Sequence, residues 1–361
     1  MENKKNIAII VKNLPSAGAE KQAIILAKSL MEEYNIHFII INGNKCNEKF
    51  LNWLKESESI SVKQFYGSIF FKFVSLCGFL QKSSINIIFS YLTGANFYAL
   101  FAGKIAKVEY IYSGIRNAKL PFVKMCVDKL ITNLFATQTI INCYSGKKYF
   151  AKKGFNEQKM MVIPNCFDNM TCYTPKSSND KIRIISVGRF VPQKDYYTAL
   201  LAISQLKRAG YNEILFQIVG FGNLETDIRQ WIKEIQIEDL VEIYINPNNI
   251  PELLSNADIY LSTSLFEGTS NSIMEALNAS LPVVATDVGD NDELVKDGVN
   301  GYLSKIGDVK DIMQKLSLLL SDVNLRTTMG LNSNELLHRN FSLPIFKERY
   351  INLIEKKQTV K

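Results

Sequence analysis

Apolar runs alternate with helical patterns from the start of the chain: IAIIV, HFIII, INIIF, VEYIYS and TQTIIN are each followed by an amphipathic stretch, the first of which predicts a helix from about Gly18 to Glu33. That rhythm reads as repeated βαβ units building a parallel sheet. A polar, proline-containing segment, NCFDNMTCYTPKSSND, interrupts it between Asn165 and Asp180 and is the natural linker. The rhythm then restarts with KIRIISV, a helix from about Asp195 to Arg208, ILFQIVG, a helix near Leu224 to Ile235, LVEIYI, ADIYLSTS and LPVVAT. The expected fold class is α/β: two Rossmann-like, doubly wound parallel-sheet domains spanning residues 1–170 and 180–340. Ligands are expected in the crevice beyond the carboxyl ends of the strands.

Size agrees with this division, because 361 residues exceed one ordinary core and suit two domains of roughly 150 to 200 residues each. The apolar content of 47% is ordinary for an α/β protein. No run reaches the ~20 consecutive apolar residues that span a bilayer; even IFFKFVSLCGFL is interrupted by Lys72. The opening MENKKNIAIIVKNL lacks the features of a secretory signal, so a cytoplasmic location is expected. All six cysteines (Cys46, Cys77, Cys126, Cys143, Cys166, Cys172) fall in the first half with no C-x-x-C pair, and they read as buried or reduced thiols. With only His37 and His338, neither a histidine metal site nor a Ser-His-Asp triad is expected.

The net charge of +7 conceals an asymmetry. Residues 1–180 hold 23 Lys and Arg against 12 Asp and Glu, whereas residues 181–361 hold 19 against 23, so a balance of +11 faces one of −4. A basic half suits an anionic membrane surface or a phosphate-bearing acceptor, and a solvated basic face is an equal alternative. No recognition motif for nucleic acid is present. The run KQFYGSIFFKFVSLCGFLQK offers aromatics for an interfacial region with Lys63, Lys72 and Lys82 toward anionic lipid; packing on a sheet is the commoner fate of such a helix.

The densest chemistry lies in FEGTSNSIMEALNASLPVVATDVG, where Glu267 and Glu275 are separated by seven residues. Thr269, Ser270 and Asn271 are N-cap types and Ile273, Met274 and Leu277 supply an apolar face, so a helix should begin at about Ser270. Its free amides and positive dipole end make a site for phosphate oxygens near Gly268, Thr269 and Ser270. A carboxylate beside that site suits sugar hydroxyls, and one further into the helix suits a ribose diol. Phosphate, ribose and hexose together describe a nucleotide sugar.

This segment resembles the E-x7-E element of the GT-B retaining glycosyltransferases of family 4, and the resemblance is strongest from about Ile182 to Gly301. What it implies is a retaining hexosyltransferase in envelope polysaccharide assembly, taking a UDP-sugar as donor and a lipid-linked glycan as acceptor. The family places an Arg and a Lys on the donor diphosphate at a G-R-x4-K spacing, which here selects Gly188, Arg189 and Lys194. Two cations held over a departing diphosphate stabilise the transition state more than the ground state. The catalytic set implied is therefore Glu267, Arg189 and Lys194, with Glu275 on the ribose. Gly18, in LPSAGAEKQA, is the expected point of close backbone approach to the donor phosphate, although the family's usual second glycine is Ala17 here. The family's last helix returns to the first domain, which implies the same for residues 342–361.

Gly220 opens a G-F-G-N-L turn that reads as scaffold, and the backbone near Ile245 to Pro247 is the candidate for reading the base. Asp290-Asn291-Asp292 has the D-x-D form of metal-dependent GT-A transferases but reads as a loop and N-cap cluster, so no cofactor and no divalent metal are expected. Many relatives hold a histidine against the donor sugar; here Tyr91, Thr93, Arg116 or Asn117 could replace it. Arg116 and Lys119 are candidates for an acceptor's phosphates or, equally, a solvated basic pair. Two other readings compete: a non-catalytic nucleotide-sugar-binding protein, and an oxidoreductase, for which a complete G-x-G-x-x-G is missing.

Overall fold

A computed structural model describes residues 4–15, 18–116, 120–173 and 181–355. The chain divides into two compact units, one of residues 1–168 with 343–361 and one of residues 169–342. Among the described residues, no helix is long and apolar enough to cross a membrane.

The first unit alternates β1 (Asn6–Val11), α1 (Gly18–Leu30), β2 (Asn35–Ile40), α2 (Glu48–Lys55), β3 (Ile60–Gln64), α3 (Ile69–Lys82), β4 (Ile87–Tyr91), α4 (Leu92–Ile105), β5 (Tyr110–Ile115), α5 (Phe122–Phe135), β6 (Gln138–Ile141), α6 (Tyr144–Lys152) and β7 (Met160–Val162). All strand pairings are parallel, in the order β3-β2-β1-β4-β5-β6-β7. The central strand β1 shows why such runs carry no polar alternation: Ile7, Ile9 and Val11 enter one buried cluster, and Ala8 and Ile10 enter another on the opposite face. Edge strand β3 is half exposed, with burial alternating residue by residue.

The second unit continues with β8 (Ile182–Val187), α7 (Tyr196–Arg208), β9 (Ile214–Gly220), α8 (Glu225–Ile235), β10 (Val241–Ile245), α9 (Ile250–Ser255), β11 (Ile259–Ser262), α10 (Asn271–Asn278), β12 (Val283–Thr286), α11 (Asn291–Leu294), β13 (Gly301–Ser304), α12 (Val309–Ser321) and α13 (Val323–Phe341). Its parallel sheet runs β10-β9-β8-β11-β12-β13, and α7, α8 and α12 bury Leu200, Ile203, Ile228, Ile232 and Leu316 on one face. The last helix, α14 (Leu343–Ile354), belongs to the first unit, where Phe346, Tyr350 and Ile354 join the core with Phe38 and Phe89.

The segment expected as a linker is tied at both described ends. Gln22 and the backbone of Cys166 exchange two hydrogen bonds (2.7 and 2.8 Å), and Lys21 pairs with Asp168 at 2.8 Å. On the other side Thr171 donates to Asn278 at 2.8 Å. Residues 174–180 lie outside the described residues.

Candidate active site

In the second unit β8 lies between β9 and β11, so the chain leaves β8 in one direction and returns to its other side. At such a switch point the loops after the two central strands diverge and leave a crevice at their carboxyl ends. The loop after β8 carries Gly188, Arg189 and Lys194; the loop after β11 carries Glu267 and Gly268 and feeds α10.

The two loops are stitched together. Lys194 ends a one-turn 3-10 helix, and Asp195 follows in the left-handed region (φ 45°, ψ 51°), capping α7 by accepting from the Thr198 amide and, at 2.6 Å, from its hydroxyl. The Thr263 hydroxyl bridges the carbonyl oxygens of Lys194 (3.1 Å) and Asp195 (2.9 Å), and the Leu265 amide donates to Gln193 O at 2.8 Å. Lys194 Nζ consequently reaches Glu267 Oε1 at 2.6 Å, and both side chains are largely buried. Ser264 Oγ donates to the same oxygen at 2.9 Å, while Gln193 Nε2 holds Phe266 O at 2.7 Å. A buried ion pair is worth keeping only when further hydrogen bonds offset its desolvation, and Ser264 is one. Gly188 explains how the lysine stem fits: a Cβ there would meet Lys194 Cε at 3.0 Å. Arg189 is exposed and has no ion-pair partner among the described residues.

Helix α10 begins after Ser270, whose buried hydroxyl accepts from the Ile273 amide. Glu275 stands half-buried one turn in, beyond half-buried Gly268 and Thr269. Both carboxylates act on the buried Tyr260 phenol, whose proton is held well above its usual range, chiefly by burial; Tyr260 Oη donates to Val187 O at 3.1 Å. The residues 189, 194, 267 and 275 thus share one edge of one sheet.

Sequence reasoning missed the buttress beneath this loop. Gly289 (φ 63°) brings its backbone against residue 267, and a Cβ there would lie 2.3 Å from Glu267 O. The Asp290 amide donates to Gly268 O at 3.3 Å, and Thr286 Oγ1 donates to Ser264 O at 2.6 Å. The glycine in T-D-V-G-D-N was the available signal. Asp290 is buried and Asn291 donates to Thr286 O at 2.9 Å, whereas Asp292 is exposed. The cluster does precede α11, and Asp290 stands at its N-cap position, although its side chain makes no capping hydrogen bond. Gly220 and Gly222 support the first loop, since added Cβ atoms would lie 1.8 Å from Gly188 O and 2.4 Å from Phe190 O. Ile245 is exposed, and the Asn246 amide donates to Gly220 O at 2.9 Å.

In the first unit Gly18 starts α1 exposed, and a Cβ there would enter open space, so neither packing nor φ demands glycine. Ala17 lies outside the described residues, as do Asn117 and Lys119. The view of Arg116 as a solvated cation is overturned. It is buried, its guanidinium lies 4.4 Å from the Tyr91 ring centroid, and Nη2 donates to Tyr350 Oη at 2.8 Å. Burial costs a guanidinium hydration, and the aromatic face and the phenol of α14 compensate for part of it. Tyr91 is itself fully buried, and Thr93 donates to Asp128 at 2.5 Å. Of the four candidates for the missing histidine, the three described ones, Tyr91, Thr93 and Arg116, are therefore committed to internal contacts, and Asn117 lies outside the described residues.

Residues 174–336 match the family described as glycosyl transferases group 1. A galactosaminyltransferase of Campylobacter jejuni, named for a GalNAc-containing diNAcBac-PP-undecaprenol, is 24% identical, covering 96% of this chain and 98% of its own. The UDP-Gal:alpha-D-GlcNAc-diphosphoundecaprenol alpha-1,3-galactosyltransferase of Escherichia coli is 23% identical over 79% of this chain and 80% of its own. In fold, the chain is similar to Anabaena Alr3699/HepE in complex with UDP (TM-score 0.80, 19% identity, 98% of this chain and 100% of that one). It is similar also to the lipopolysaccharide outer core galactosyltransferase WaaB (TM-score 0.79, 20% identity, 98% and 99%). Residues 174–336 thus carry a glycosyl transferases group 1 domain, and the chain has the GT-B fold of these neighbours.

Proposed function

We propose that the chain moves a hexose or N-acetylhexosamine, with retention of configuration, from a UDP-sugar to a lipid-linked glycan in cell-envelope polysaccharide assembly. The contact between Lys194 and Glu267, beside exposed Arg189 with no ion-pair partner among the described residues, carries this reading, because it joins a diphosphate-type cation to a sugar-type carboxylate at a switch point. The undecaprenyl acceptors and UDP-Gal donor in the names of relatives, and the UDP bound to a structural neighbour, support the acceptor and donor classes. A peripheral contact between the basic first unit and an anionic membrane goes with such an acceptor.

In this reading Lys194 keeps one N–H on Glu267 and turns the others to the donor diphosphate, with Arg189 closing on it as a planar fork. Glu267 accepts from hydroxyls of the sugar, Glu275 from the ribose, and the amides of residues 268–270 complete the cradle. The acceptor hydroxyl attacks the face from which the diphosphate departs; its oxygen forms the new glycosidic bond while its proton passes to the departing phosphate oxygen. The two side-chain cations serve where GT-A enzymes use a metal, so transfer is expected to survive EDTA. The test is release of UDP from a panel of UDP-sugars, with and without lipid-linked acceptor, for wild type and Arg189→Ala. Turnover that is abolished by EDTA and restored by magnesium, or an Arg189→Ala variant with full activity, rejects the assignment.

A further inference from the structure

In the first unit, the sheet face beneath α14 ends in a cation that has no counter-charge. Arg116 follows β5 and stands beside Asn142 at the end of β6, because Ile115 pairs with Ile141. Its internal contacts engage the ring face of Tyr91 and the Tyr350 phenol, which takes Nη2; Nε and Nη1 are buried without a hydrogen-bond partner. The residue as a whole is 8% exposed and forms no ion pair among the described residues. Burial strips a full charge of its hydration, so a guanidinium is a costly group to leave half satisfied. Buried donors are almost always paired, and two idle nitrogens on one buried cation therefore point to a ligand.

The surroundings make the setting positive. The guanidinium lies within electrostatic reach of Cys143, the N-cap residue of α6. That helix has no acid in its first turn and no side-chain bond at its cap, so no carboxylate of its own opposes the positive end of its dipole. Arg349 precedes Tyr350 on α14, is half-buried, and acts on the Tyr144 phenol at the same helix start. Exposed Glu348 also reaches Arg349 but forms no ion pair with it among the described residues. We propose that Arg116, Arg349 and the start of α6 bind a phosphate group. A carboxylate brings two oxygens, whereas a phosphate brings enough for the idle nitrogens of Arg116, for Arg349 and for the first amides of α6. Two sources supply that group: free phosphate, or the diphosphate of an acceptor. The second source rests on the lipid-linked acceptor reading; the site itself does not.

The test is the melting temperature of the full chain in sodium phosphate or pyrophosphate against sodium chloride of equal ionic strength, for wild type, Arg116→Met and Arg349→Gln. The anion is expected to raise the wild-type value by mass action. In either variant the same rise should need about tenfold more of it, the worth of one hydrogen bond to a charged group. Anion held by the donor-site cations Arg189 and Lys194 contributes equally to all three proteins and cancels in the comparison. Arg349→Gln, at a half-buried position, keeps the comparison decisive where Arg116→Met does not fold. Wild type that gains nothing over chloride, or variants that gain as much as wild type at every concentration, would overturn the inference. The source is read from transfer kinetics in the same proteins. A KM for a diphosphate-linked acceptor that rises about tenfold in Arg349→Gln, with free phosphate competing in wild type, assigns the acceptor's diphosphate; an unmoved KM assigns free phosphate. Wild type that transfers no sugar to such an acceptor refutes the acceptor reading and leaves an arginine-dependent phosphate shift standing.

Discussion

Lys194 and Glu267 hold each other in a mostly dry setting, so removing either strands the other's charge. Lys194→Ala and Glu267→Ala are each expected to lower turnover by about 10²- to 10³-fold, as loss of one transition-state contact commonly does. Their melting curves should remain cooperative, and the Lys194→Ala/Glu267→Ala double variant should lose less stability than the two single losses combined; strictly additive losses would show that the pair is not coupled. Asp128 tests burial itself. Desolvation raises its carboxyl above the ordinary range, against the opposing hydrogen bonds of Thr93 and Asn96. A raised folded-state value means its stabilising contribution exists at acid pH and is lost as pH climbs through that value. Asp128→Asn should therefore melt higher than wild type in mildly alkaline buffer, with the gap closing in acid. A constant gap would mean that its ionisation is not the cause.

The glycines separate packing from ligand approach at the level of elements. Gly289 sits at positive φ with Glu267 O in the way of a side chain, so Gly289→Ala should cost about 1–3 kcal/mol and weaken donor affinity together. Gly18 begins α1 with open space around it, so Gly18→Ala should leave the melting temperature unchanged or slightly raised. If its backbone approaches the donor phosphate, KM for the UDP-sugar should nonetheless rise; an unchanged KM removes Gly18 from the site. Legibility followed burial. β1, β2, β4, β8 and β9 carry long apolar runs because helices cover both faces, and their sequences announce them. β3, with its half-exposed alternation, and the short β7 and β13 escaped because their signals resemble loops. The inversion of α5, which buries Asp128 and Thr132 and exposes Leu130 and Leu134, was equally hidden, since a helical period says which residues share a side but not which side meets the sheet.

For the whole molecule, the terminal helix α14 is a structural part of the first unit. Phe346 and Tyr350 are fully buried, and Tyr350 anchors Arg116. Phe346→Ala should cost about 3–5 kcal/mol, read as a shift in denaturant midpoint, because the cavity would open within the core around Phe38 and Phe89. Little effect would mean that this helix is dispensable. The sequence alone determined the α/β class, most strands of both sheets, and the loop with its following helix that holds Glu267, Ser270 and Glu275. Those features are local, since an apolar period, a capping hydroxyl and a seven-residue gap are set within one stretch of chain. Tertiary structure decided that Lys194 meets a carboxylate 73 residues away, that Arg116 is buried between Tyr91 and Tyr350, and that α5 shows its apolar side to solvent. Sheet order and the competition for burial are properties of the assembled chain, and no window of sequence contains them.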